Sequence, residues 1–520
     1  MTYARTSSSD GSYCHDGRCG GLATTEQLSG RLRTLTWAIG LVAVAAMPAL
    51  GDSVTELVSV GPGGARGNSG SYAPSVSASG RFVAFESFAS TLVAGDTNNA
   101  YDVFLRDRQA GRTSRLSLGP GATQGNAESR FPSISANGRY TAFQSRASNL
   151  VPGDTNGLTD VFLRDRQAGA THRLSLGPGD RQGNGDSENP AISADGRFVA
   201  FQSLASNLVP GDTNGVTDVF VRDQQAGTTR RVSLGPGGRQ GNDVSYSPSI
   251  SANGRFVAFH SGAGDLVLSD TNGAYDIFVR DRQTSATRRI SLGPSGVQAD
   301  GDSYFASISG DGRFVAFESF ATNLVPGDTN GTTDLFVHDR QTGTTRRVSL
   351  GPGGRQANGE SLSAAISADG SFIAFMSSAH NLVPNDTNDI DDVFVYDLQT
   401  GRTTRVSVAT DGQQGNSDSG YPSISADGRF VVFHSYATNL VPGDTNDAVD
   451  VFLHDCRTGV TSRVSVSSSG AQANGDSSYH FAISPRGDKV AFISDATNLV
   501  AGDTNGKTDV FLRQLSRPPM

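Results

Sequence analysis

Eight times in this 520-residue chain an aspartate opens the tripeptide Asp-Thr-Asn, and another aspartate follows six residues after the first. The openers are Asp96, Asp154, Asp212, Asp270, Asp328, Asp386, Asp444 and Asp503. Position 3 holds Asn98, Asn156, Asn214, Asn272, Asn330, Asn388, Asn446 and Asn505. Position 7 holds Asp102, Asp160, Asp218, Asp276, Asp334, Asp392, Asp450 and Asp509. Oxygen-bearing side chains at positions 1, 3 and 7 of a Gly-rich loop match the first half of a calcium loop, because a hard cation takes several oxygens at about 2.3–2.6 Å. Asp107 and its equivalents stand at position 12, where such a loop carries its bidentate acid. They lie across a strand of five steps, roughly 16 Å from Asp102 at ~3.3 Å per residue, and cannot reach the loop. The other chemistry is structural: Asp and Asn side chains close turns on nearby backbone N–H groups, and Gly supplies positive φ. Both readings stand, and calcium is the cofactor the pattern suggests.

The elements that position these residues follow from their period. The interval from Asp96 to Asp154 recurs unchanged as far as Asp444 and lengthens by one before Asp503. A fixed period of roughly 58 residues signals a propeller or a solenoid. One unit, residues 190–242, contains four strand patterns: PAIS, RFVAFQS, DVFVRD and TRRVSL. Asp-Gly between the first two and DQQAG between the last two are hairpin turns. Each unit is therefore a four-stranded meander, as in a propeller blade. The last unit stops after its third strand, TDVFLRQLS, and an orphan fourth strand, TELVSV (55–60), stands at the other end of the repeat. Pairing the two closes a ring and removes exposed strand edges. The expected fold is all-β, an eight-bladed propeller over 52–520 closed by its N-terminal strand. In such a meander the two tight turns share one rim. The two long loops, ASNLVPGDTNGVT and GPGGRQGNG, share the other, where binding is expected.

The recurring S-A-D-G-R-F-V-A-F, D-V-F-V-R-D and R-R-V-S-L resemble the TolB-type, WD40-like repeat often called PD40. The resemblance implies a propeller. It also suggests a periplasmic setting, since TolB belongs to an envelope complex. It says little about function, because such folds host unrelated activities.

Repeated residues build the scaffold, so a distinctive function falls where the units differ. Just before the first strand stand Tyr72, Arg130, Glu188 with Asn189, Tyr246, Tyr304 with Phe305, Leu362, Tyr421, and Tyr479 with His480. These are expected to ring the channel mouth. Aromatics with a few charges suit a peptide, glycan or protein edge; filling gaps between blades is the plainer alternative. A second variable set follows the core Phe of the second strand: Glu86, Gln144, Gln202, His260, Glu318, Met376, His434 and Ile493. Its chemical freedom suits a solvent-facing or inter-blade position. His260 and His434 stand three units apart and are not expected to share a metal. No Ser-His-Asp or Cys-His spacing and no G-x-S-x-G is present. No catalytic residue is assigned, and the chain is taken not to be an enzyme. The competing reading is a glycan-active hydrolase or lyase at the mouth, drawing on Glu188, Arg130 and His480.

Upstream of the repeat, Arg31 and Arg33 precede TLTWAIGLVAVAAMPAL, followed by Gly51. Basic residues, a short apolar run and small residues at −3 and −1 describe a secretory signal cleaved before Asp52, with an uncleaved anchor as the rival. Residues 1–51 are thus an extension and signal, and the expected location is secreted or periplasmic. Losing them removes four arginines and three acids, moving the net charge from −9 to −10. Such a surface argues against nucleic acid. Cys456 alone would remain of three cysteines, so no disulfide framework follows. The expected partner is a protein, peptide or envelope polymer, with no transmembrane span in the mature chain.

Overall fold

The structure, a computed structural model, describes residues 53–516. The signal segment and its cleavage point before Asp52 lie outside the described residues. Counting blades from Ser71, the third runs from the inside out as Ser187–Ile192, Phe198–Ser203, Asp218–Asp223 and Thr228–Arg231, all antiparallel. The other blades repeat this order, and the eighth takes its outer strand from the N-terminal end. There Val54–Leu57 pairs with Asp509–Gln514, placing Thr55 opposite Arg513 and Leu57 opposite Phe511. The ring therefore closes as the repeat arithmetic requires. Among the described residues no helix is long and apolar enough to cross a membrane.

Two strand bounds differ from the sequence expectation. The inner strand starts at Ser187, three residues before Pro190, because a bulge between Glu188 and Ala191 interrupts its pairing. Proline is tolerated at such bulges, and the break in alternation hides the first half of the strand. The outer strand ends at Arg231, before Leu234. Beyond it the N–H groups of Val232 and Ser233 both point to the carbonyl of Val219, and Leu234 turns away to bridge Gln240.

Both faces of each blade are covered by neighbouring blades, so the middle strands are apolar on both sides instead of alternating. Phe201 and Phe220 stack within the third blade with centroids 5.9 Å apart. Buried clusters fill every junction between neighbouring blades. The closing junction is built like the rest, joining Val83 and Phe85 to Ala491, Ile493 and Val510.

The rim with the tight turns is stitched by main chain and by ion pairs. The Ala78 N–H donates to the Ala136 carbonyl, Ala136 to Ala194, and Ala194 to Ala252, at 2.8–2.9 Å. Gly138 in one such turn has φ 69, and a Cβ there would lie 2.2 Å from the Phe82 ring. Arg197 grips Asp223 through Nε–Oδ1 at 3.0 Å and Nη2–Oδ2 at 2.8 Å. Asp107 is held in the same way by Arg81, so the position-12 acids belong to this rim.

Candidate functional site

The Asp-Thr-Asn loops lie on the opposite rim. In the third blade Arg231 Nη1 lies 3.1 Å from Asp212 Oδ1 and 2.8 Å from Asp218 Oδ2. Asp218 is fully buried; it accepts a hydrogen bond from Ser233 Oγ and another from Asn214 Nδ2 at 2.9 Å. The same fourth-strand arginine recurs as Arg115, Arg173, Arg289, Arg347, Arg405 and Arg463. Where the spacing places calcium between positions 1 and 7, seven blades place a buried guanidinium, whose planar donors suit two carboxylates at once. Position 3 acts as a turn residue, with Asn214 Nδ2 also donating to the Gly241 carbonyl at 2.8 Å. The eighth blade departs. Leu57 holds the register position of Arg231, and among the described residues neither Asp503 nor Asp509 has an ion pair. Among the described residues no group of three or more His, Cys, Asp or Glu converges as metal ligands.

In six blades the two variable sets are cross-strand partners: Tyr72 pairs with Glu86, Arg130 with Gln144, Glu188 with Gln202, Tyr246 with His260, Tyr304 with Glu318 and Leu362 with Met376. In the last two, Gly420 faces His434 and Ser478 faces Ile493. Of the two environments expected for the second set, the structure shows the inter-blade one. Glu86, His260, Glu318 and His434 are buried. Four members clasp the next blade. The Phe131 N–H donates to Glu86 at 2.8 Å, Asn189 to Gln144 at 3.0 Å, Ser247 to Gln202 at 3.1 Å, and Ser363 to Glu318 at 2.7 Å. The donors are the bulge residues, which hold φ between 51 and 58. Such backbone costs on the order of 1–3 kcal/mol and persists only where its surroundings fix it.

The histidines serve differently. His260 lies among the rings of Tyr246, Tyr275, Tyr304 and Phe305, at 5.5–6.0 Å. His434 lies 4.7 Å from Tyr479, 5.5 Å from Tyr421 and 6.3 Å from Tyr436. The Tyr436 and Tyr479 hydroxyls are 3.0 Å apart. Burial pushes both imidazoles down to about 4, so they are neutral at pH 7. A third aromatic group joins Tyr72, Phe88 and Tyr101, with the Arg130 guanidinium 3.9 Å over the Tyr101 ring.

At the mouth a cavity of about 440 Å³ is lined by bulge residues and their neighbours, including Ala73, Phe131, Asn189, Tyr479 and His480. Of the three residues proposed for glycan chemistry, His480 lines it, whereas Arg130 and Glu188 do not. Arg130 is held 3.4 Å from Glu86. Tyr246 and Tyr304 belong to the His260 cluster. Tyr421 sits one register position later than Tyr72, at the bulge, with φ 47. Sequence comparison missed exposed Phe131, Phe320 and Tyr436, which show 43–54% of their surface, and the half-buried Tyr101 and Tyr275. Phe320 and Tyr436 follow the repeated serine of the second strand, and Tyr101 and Tyr275 precede the third. Two more variable columns would have revealed them. Cys456 is exposed in a hairpin on the far rim.

Strand order, closing strand and blade junctions define a closed eight-bladed β-propeller of four-stranded antiparallel blades. No family model and no curated protein matches the chain. Solved structures do. An oligogalacturonate lyase from Vibrio parahaemolyticus is 13% identical over 73% of this chain and 88% of its own, with a TM-score of 0.43. TolB from Acinetobacter baumannii is 16% identical over 74% and 82%, with a TM-score of 0.32. An acylaminoacyl peptidase from Pyrococcus horikoshii is 10% identical over 76% of this chain and 52% of its own, with a TM-score of 0.41. The likeness is one of fold. It corrects the expectation that the chain is not an enzyme: propellers of this kind include a lyase and a peptidase, so a binding-type architecture does not exclude catalysis.

Proposed function

We propose that this chain is a TolB-like, PD40-type propeller, secreted or periplasmic after cleavage before Asp52, which grips an extended peptide or envelope glycan across its loop-rich mouth. The observation that carries this reading is the set of exposed rings on that rim, Phe131, Phe305, Phe320, Tyr421, Tyr436 and Tyr479, while the other aromatics among the described residues are buried or half-buried. Exposed apolar rings rimmed by polar loops mark interaction sites. Tyrosines lend a flat apolar face with a polar tip at little entropic cost. Phe131, Phe305, Tyr421 and Tyr479 sit at the inner-strand bulges, and Phe131 is clasped there by Glu86 of the neighbouring blade, so this part of the surface is pre-formed and needs little ordering on binding. Calcium enters this reading at the eighth loop alone.

The test is capture from an envelope extract and from isolated wall polymer, with the wild type beside Tyr421→Ala/Tyr479→Ala. The double variant is expected to lose at least tenfold in captured material while its melting temperature stays within a few degrees. Equal capture by both proteins would overturn the reading. Comparing the length of eluted and input polymer reads out any turnover.

A further inference from the structure

The eighth blade repeats the acid pair of the other seven but not their cation. We propose that Asp503 and Asp509 hold one calcium ion, which takes the place of the missing arginine and ties the N-terminal strand into the ring. In blades one to seven each acid pair shares a guanidinium. Arg289, for example, lies 2.7 Å from Asp270 and 2.9 Å from Asp276. At the matching register position the eighth blade has Leu57, which carries no charge. Its acids are nonetheless as buried as the rest: Asp503 is 4% exposed and Asp509 0%. Asp503 Oδ1 has no hydrogen-bond partner among the described residues, and it is buried from water. Two carboxylates withdrawn from solvent are costly, and Arg66, the one positive charge acting on both, bonds backbone carbonyls and pairs with neither acid, so the site still favours a cation or a proton.

The surrounding groups favour a small hard cation. Asp509 accepts from Ser59 Oγ at 2.5 Å and from Asn505 Nδ2 at 2.6 Å. Asn505 Nδ2 also donates to the Gly67 carbonyl at 2.9 Å. Ser59 and Gly67 come from the N-terminal segment, so the acid pair stands where that segment joins the last repeat. Arg66, the positive charge acting on both acids, donates from Nε to the Gly502 carbonyl at 3.2 Å and from Nη2 to the Ala501 carbonyl. It forms an ion pair with neither acid. The two carboxylates supply hard oxygens, and calcium completes its six to eight ligands with carbonyl or water oxygens. Because the unfolded chain has no such site, binding would raise stability by linkage.

The experiment uses protein stripped with a chelator, then titrated calorimetrically with calcium chloride and melted across calcium concentrations. One ion per chain and a melting temperature that climbs with calcium are expected. Asp503→Asn is expected to weaken binding at least tenfold. Leu57→Arg, which installs the solution used by the other blades, is expected to abolish the calcium response and to melt, without calcium, at or above the loaded wild type. Asp212→Asn in the third blade is expected to keep the one-ion stoichiometry. Absence of binding heat at millimolar calcium, binding that survives Asp503→Asn, or several ions per chain would overturn the proposal. A melting temperature indifferent to calcium, with a rise from about pH 7 to about pH 5 that Asp503→Asn removes, would also overturn it, assigning a proton to the site.

Discussion

Arg289, Asp270 and Asp276 show how single residues carry the repeat. Each arginine is nearly buried and has two acids for partners, so removing it strands two charges away from water. Arg289→Met is expected to cost about 3–5 kcal/mol in urea unfolding, the usual result of breaking a buried pair from one side. A cost near zero would mean that the acids are already protonated. The arginine was visible in R-R-V-S-L, yet nothing in the spacing ties Arg289 to an aspartate as far back in the same repeat as Asp270. Sheet register alone brings them together, which is why oxygen spacing suggested a metal. The buried histidines give a second prediction. His260, His338, His434 and His454 are all pushed down to about 4 by burial. Below the ordinary value of 6.5 the unfolded chain binds protons that the native state refuses. Their contribution is therefore complete above about pH 6.5 and is lost as pH falls toward 4. Histidine ring signals in NMR are expected to titrate near 4; titration near 6.5 would contradict the buried placement.

At the scale of elements, the meander was legible because its turns carry their own chemistry, Asp-Gly and Gln-Ala-Gly, and because one repeat has room for four short strands. The bulge in each inner strand was not legible. Its left-handed residue is Phe131 in one blade, Asn189 in another and Ser247 in a third, and its partner is a side chain 45 residues upstream on a different blade. No local pattern encodes such a clasp. It can be tested through Gln144, whose amide oxygen accepts the Asn189 N–H. Gln144→Ala is expected to destabilise by about 0.5–1.5 kcal/mol, the net worth of an ordinary hydrogen bond. Adding Asn189→Gly, which tolerates φ 54 without strain, is expected to recover part of that loss. If Gln144→Ala unfolds at the wild-type urea midpoint, the clasp has no energetic role.

The whole molecule depends on one long-range pairing. Val54–Leu57 and Asp509–Gln514 come from opposite ends of the described chain and form the last ladder. Counting strands revealed this closure from the sequence, because eight inner strands with seven outer ones leave a single solution. What the count could not show is that the borrowed strand lacks the arginine of the other outer strands, so the closing blade is the electrostatic exception in a nearly uniform ring. The exposed rings at the mouth gain their value from this closure, since an open array would place them on a curved strip with no shared rim. The direct measurement is hydrogen exchange of the backbone amides in Val54–Leu57. They are expected to be protected to the same degree as the outer strand Thr228–Arg231 of the third blade, and to lose protection only when neighbouring blades open. Exchange at the rate of an unfolded chain, with the third blade still protected, would contradict the closed ring.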